Sequence, residues 1–220
     1  MQAEPEHVRP AQLFVISYLD WEREGASSFE LHRARLIDQL ATLTATPENG
    51  EQSQPSTYIL LGGQTIILED IAAIHPNLLT MLVIFNASGK LGTGPWYVQT
   101  DPMLVSGESL VRNLLVGSAD VTRYGVKPLS IVYLPDGRHY PAQLPQILQG
   151  FNLHAILVHT EQSDIDAPFM WRAPYGQGNE VLVVPYRSQQ GVQQARDQQQ
   201  VVLPDGPYLW LNGDALNNRA

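Results

Sequence analysis

Apolar positions in this chain follow two rhythms. Short, nearly unbroken apolar runs, such as Leu13-Phe14-Val15-Ile16 within residues 12–18 and Tyr58-Ile59-Leu60-Leu61, predict strands buried on both faces. Between them, apolar residues recur every three or four positions. Phe29, Leu31, Ala34, Leu36, Leu40 and Leu43 share one side of a helix predicted over 27–44, with Ser27 and Glu30 as a capping box. Residues 46–56 are polar and turn-rich and predict a surface loop.

The alternation continues. The strand at 58–61 ends at Gly62-Gly63, and two short helices follow over 66–74 and 76–87, the second stopping near Ser88-Gly89. Gly94-Pro95 predicts a rigid turn into an aromatic strand at Trp96-Tyr97-Val98, then a loop with one acid, Asp101. A helix opening at Ser106 or Ser109 would bury Leu110, Leu114 and Leu115 and keep Glu108, Arg112 and Asn113 polar. A strand over 129–134, a Pro135-Asp136-Gly137 turn and a helix over 144–150 come next, then strands over 154–159, 169–171, 181–185 and 208–211. The glutamine-rich stretch 188–200 carries no assigned function.

Strands alternating with helices predict an α/β fold with a largely parallel sheet. Sites in such sheets form at the carboxyl ends of strands. Asp20, Gly62, Asp101 and Asp136 each fall just after a predicted strand, so the fold would let them converge.

Composition narrows the function. The 220 residues suffice for a real core, read as a flexible stretch over 1–10 and one domain over 11–220. Thirteen basic against 22 acidic side chains give a net charge of -9, which argues against nucleic acid and anionic membrane as partners. Cysteine is absent, which excludes disulfides, thiolate metal sites and cysteine nucleophiles. The first ten residues lack the apolar core of a secretory signal, and no apolar run is long enough to span a bilayer, so a cytoplasmic protein is expected.

Five blocks in order carry a resemblance. They are Ser17-Tyr18-Leu19-Asp20-Trp21-Glu22-Arg23-Glu24; Leu61-Gly62-Gly63-Gln64-Thr65; the stretch from Gly94-Pro95-Trp96 to Ser106-Gly107-Glu108-Ser109; Tyr133-Leu134-Pro135-Asp136 with Ala142-Gln143-Leu144-Pro145-Gln146; and Phe169, Trp171, Ala173-Pro174. Together they resemble the N-terminal catalytic domain of the family 38 glycoside hydrolases, the retaining α-mannosidases. The resemblance implies an incomplete (β/α) barrel-like domain and hydrolysis of α-mannosides. It also implies a zinc ion held by a His-x-Asp pair after the first strand, by the nucleophilic aspartate and by a late histidine.

Aligned on Trp21 and Arg23-Glu24, the resemblance puts Asp20 and Glu22 where the family has histidine and aspartate, and Asp136 at the nucleophile position. The late histidine would lie beyond the end of the chain. Asp20, Glu22 and Asp136 are therefore degenerate zinc-site positions. Three acids without an imidazole suit either a hard divalent cation bound through oxygen or an arginine-paired cluster, with Arg23, Arg112 or Arg138 available. Trp21 and Trp96 offer rings for stacking on a sugar, although the apolar neighbours of Trp96 and Trp171 also suit a core. Asp101 is the best further pocket acid.

His139 suits a solvated turn as well as a ligand, and Asp136 itself suits a plain turn. The substitutions fall on polar pocket positions, whereas Trp96, Arg112, Asn113, Pro145 and Gln146 are kept. The expected function is thus an α-mannosidase-type domain with impaired catalysis. The alternatives are a non-catalytic carbohydrate-binding pseudoenzyme or one part of a split mannosidase, with a homodimer or complementing chain as partner.

Overall fold

A computed structural model describes residues 13–19, 28–44, 58–135, 139–159, 167–175, 178–188 and 208–211. In chain order the elements are β1 (Leu13–Leu19), α1 (Phe29–Thr44), β2 (Tyr58–Leu61), α2 (Ile66–Ile74), α3 (Pro76–Ala87), β3 (Leu91–Thr93) and α4 (Gly107–Tyr124). After these come β4 (Ile131–Leu134), α5 (Leu144–Gly150), β5 (Ala155–His159), β6 (Phe169–Arg172), β7 (Glu180–Ser188) and β8 (Tyr208–Leu211). The sheet order is β3-β2-β1-β8-β7-β5-β4, parallel throughout, with β6 added antiparallel to β7. The α/β fold with a largely parallel sheet is what the sequence predicts.

Period-two alternation separates two apolar layers. Ile59 and Leu61 of β2, Val132 and Leu134 of β4, and Ile156 and Val158 of β5 face the helices. The intervening Leu60, Tyr133 and Leu157 meet one another and Tyr186 of β7 in a separate inner cluster. Side chains from β2 and β4, which stand near opposite ends of the strand order, touch only if the sheet curls on itself. The curl stops short of a closed barrel. Between β3 and the segment leading into β4 runs a single bond, from the Leu129 N–H to the Thr93 carbonyl (3.2 Å). Asn86 in α3 supports that seam: its Nδ2 donates to the Leu91 and Lys127 carbonyls and its Oδ1 accepts the Lys127 N–H.

Four local expectations change. The strand before α4 is Leu91–Thr93, not the aromatic segment at 96–98. Glycines on either side of it resemble a loop, yet Gly92 is required because the Tyr58 hydroxyl and Leu129 fill the space a Cβ would need. Trp96 makes only an isolated bridge to Gln64. Helix α1 starts at Phe29, and the cap on the Leu31 N–H is the Ser28 hydroxyl; Ser27 lies outside the described residues. On α4, capped by Ser106, the buried row is Leu110, Leu114, Gly117 and Val121, spaced as one helical face, which leaves Leu115 exposed. Phe29 and Leu31 are also partly exposed, at 36% and 45%; Leu36 and Leu40 carry the buried face of α1.

Candidate functional site

Because the ladders are parallel, the strands end on one rim. Leu19 of β1 is in register with Leu61 of β2, Leu61 with Thr93 of β3, and Leu134 of β4 with Val158 of β5. A cleft of about 230 Å³ opens at this rim where the loop 99–102 faces the end of β4. Gln99, Thr100, Asp101 and Pro102 form one wall; Leu134, Pro135, His139 and Tyr140 form the other. Tyr140 is backed by the half-buried Trp171, with ring centroids 6.5 Å apart.

The loop wall is built from α4 and the turn after β2. Asn113 of α4 accepts the Tyr97 and Val98 N–H groups on its Oδ1 (2.7 and 3.2 Å) and donates from Nδ2 to the Val98 carbonyl (2.9 Å). From the other side, the Thr65 and Ile66 N–H groups donate to the Trp96 and Tyr97 carbonyls. The peptide bond between Gly94 and Pro95 is cis. Asp101 is exposed at the tip, where its Oδ1 accepts the Met103 N–H at 2.8 Å, an Asx turn that fixes the carboxylate's direction.

Gly62 and Gly63, both at positive φ, turn the chain at the end of β2. At Gly63 a Cβ would stand 2.9 Å from the Cβ of Tyr133. Below the rim the Tyr186 hydroxyl donates to the Tyr133 hydroxyl (2.8 Å), and the His159 ring lies 5.0 Å from that of Tyr186. Asp120 of α4 is buried and accepts a hydrogen bond from the Thr65 hydroxyl (3.1 Å). Desolvation raises its pKa above the usual carboxylate range, against the opposing effect of that bond.

Of the residues singled out in the sequence, Asp101 and His139 meet at the cleft. Trp96 does not join them. It is 3% exposed and packs with Leu110 and Leu114, so its ring has no free face for a sugar, and this corrects the stacking role. Arg112 pairs with Glu108 at 2.8 Å on the exposed side of α4. Asp20, Trp21, Glu22 and Asp136, with Arg23 and Arg138, lie outside the described residues. Sequence reasoning missed Gln99 and Asp120, since a glutamine in a loop and an aspartate in mid-helix carry no local signal of what they touch.

The sequence profile described as "Glycosyl hydrolases family 38 N-terminal domain" matches residues 71–201, more than half of the chain. The chain belongs to family 38. A provisionally named mannosylglycerate hydrolase of Halalkalibacterium halodurans is 34% identical over 179 residues, covering 74% of this chain and 19% of that protein. Mouse alpha-mannosidase 2C1 is 34% identical over 105 residues, 47% of this chain and 10% of that protein. The crystal structure of an alpha-mannosidase from Enterococcus faecalis superposes with a TM-score of 0.73 at 24% identity, covering 95% of this chain and 27% of that one, a likeness of fold.

This family 38 domain thus spans about a fifth or less of the curated relatives it matches. The family is generally zinc-dependent and acts on carbohydrate. Among the described residues no three His, Cys, Asp or Glu side chains gather at one point. No described helix is long and apolar enough to cross a membrane.

Proposed function

We propose that this domain serves α-mannoside hydrolysis through a pocket above the carboxyl ends of β1, β2 and β4, with turnover impaired. The observation that carries the reading is the cleft in which the Asp101 loop faces Pro135, the residue before Asp136. In this reading Asp136 holds the nucleophile position, Asp101 contacts sugar hydroxyls and Trp21 supplies a stacking ring. The names of the two relatives, both hydrolases of mannosides, support the substrate class. Retaining chemistry needs a second carboxyl group about 5–5.5 Å from the nucleophile to protonate the leaving oxygen and later activate water.

The donor set does not fit the family's zinc. Asp20, Glu22 and Asp136 are all carboxylates, whereas zinc prefers imidazole among its ligands; hard oxygen donors suit Ca²⁺, Mn²⁺ or Mg²⁺. That mismatch favours a second reading, a carbohydrate-binding domain without catalysis. Turnover of an aryl α-mannoside separates the two. Hydrolysis abolished by Asp136→Asn supports the enzyme. Saturable mannoside binding with no turnover under any metal supplement supports the binding domain. Sedimentation of the same sample reports whether a second copy joins, and addition of a candidate complementing chain tests the split-enzyme arrangement.

A further inference from the structure

Strand β3 has three residues and stops at Thr93. Between β2 and β4, which share no ladder, one side chain stands above that stop. The carboxamide Nε2 of Gln99 donates to the Gly62 carbonyl at the end of β2 (3.2 Å) and to the Tyr133 carbonyl of β4 (3.0 Å). Its own backbone N–H donates to Oε1 of Gln64 (3.0 Å), which anchors Gln99 to the turn after β2. Both protons of one amide group thus span the gap that a longer β3 would have filled with backbone rungs. The site is crowded: a Cβ on Gly63 would stand 3.2 Å from that Nε2. Gln99 lies two residues before Asp101, and Tyr133 three before Asp136.

We propose that Gln99 is a positioning residue: its carboxamide ties the loop bearing Asp101 to the strand leading to Asp136, and so sets the spacing of the two cleft walls. The inference rests on the reading of this cleft as the mannoside pocket. An error of about 1 Å in such spacing costs on the order of a hundredfold in a reaction that depends on it.

Two variants of the whole chain test this. Gln99→Met keeps the size and removes both donors. Gln99→Glu turns a carboxylate toward two carbonyls at neutral pH, but on acidification its protonated form recovers one donor. The probes are methyl α-mannoside for calorimetric titration and backbone hydrogen exchange, normalised to intrinsic rates, over residues 97–102. Both variants are expected to bind about tenfold more weakly at neutral pH and to show faster exchange in that segment. Gln99→Glu should regain affinity and protection as pH falls into the carboxyl range, whereas Gln99→Met should not.

A merely structural contribution would lower the melting temperature of both variants without that pH-dependent recovery. Wild-type affinity and wild-type exchange in both variants, or pH profiles that coincide, would overturn the proposal. If the wild-type chain binds no mannoside, the functional reading fails and the exchange data alone decide on Gln99: unchanged protection at 97–102 sinks it. Should Gln99→Met not fold, Gln99→Glu measured across pH carries the test.

Discussion

Gly117 of α4 lies directly against the carbonyl oxygen of Pro95. A Cβ on Gly117 would fall well inside contact distance of that oxygen, and 2.9 Å from the Trp96 carbonyl carbon and the Tyr97 nitrogen. Every obstructing atom is backbone, so no side-chain rotation relieves the clash.

Gly117→Ala should therefore destabilise the domain even though alanine favours helix by about 1 kcal/mol. Overpacking typically costs about 1–3 kcal/mol, and rigid neighbours place this site toward the upper end. A net loss of about 1–2 kcal/mol in chemical denaturation is expected. The same substitution at Gly107, whose Cβ position is open, should be close to neutral.

Asn113→Ala removes the acceptor of two N–H groups and the donor to one carbonyl in the 97–98 segment. Leaving such partly buried groups unpaired costs about 1–3 kcal/mol. Urea unfolding should show a loss of about 2–3 kcal/mol. Asn113→Asp keeps the acceptor for both N–H groups and should lose less.

Asp120 yields a pH dependence. Its folded pKa is raised, chiefly by desolvation, so the protonated form suits the fold. The stability linked to this proton is complete below the unfolded aspartate pKa and disappears as pH rises through the folded one. Asp120→Asn retains an acceptor for Thr65 and carries no charge. Its stability relative to wild type should increase from the carboxyl range toward neutrality and level off above the folded pKa. Thermal melts across pH 3 to pH 8, about the span of interest, would show it, and a flat difference would contradict it.

A metal prediction follows from the donor set. Purified protein is expected to carry no stoichiometric zinc, and any divalent-ion binding should favour Ca²⁺ or Mn²⁺ and weaken in Asp20→Asn and Asp136→Asn. One zinc per chain by elemental analysis would refute the assignment.

Much of the scaffold was readable from local pattern. The bounds of α2 and α3 match their predicted spans because Pro76 forces a new helix start and His75 caps it, its Nδ1 accepting the Leu78 N–H. Strand β2 and helix α5 are equally plain, since apolar runs bounded by glycine or proline leave little choice. Strand β3 was hidden because Gly92 answers to Tyr58 and Leu129, residues remote in sequence. Leu115 looked like core because a leucine pair obscures which member faces inward. In the site, Asp101 lines the cleft although the strand expected just before it, at 96–98, is formed instead at Leu91–Thr93, and the burial of Trp96 depends on which faces α4 and the sheet present to it. Gln99 was invisible, since its partners are two carbonyls 34 and 37 positions away.

The short third strand has a consequence for how this wall can change. Between the parallel strands, cohesion comes from main-chain ladders that most side-chain substitutions leave in place. At the slot beside β3 the amides of Gln99 and Asn86 and one Leu129 rung do that work. Stiffness there accordingly rests on a few side chains, which makes this slot a place where the shell's tightness can be tuned by one substitution at a time.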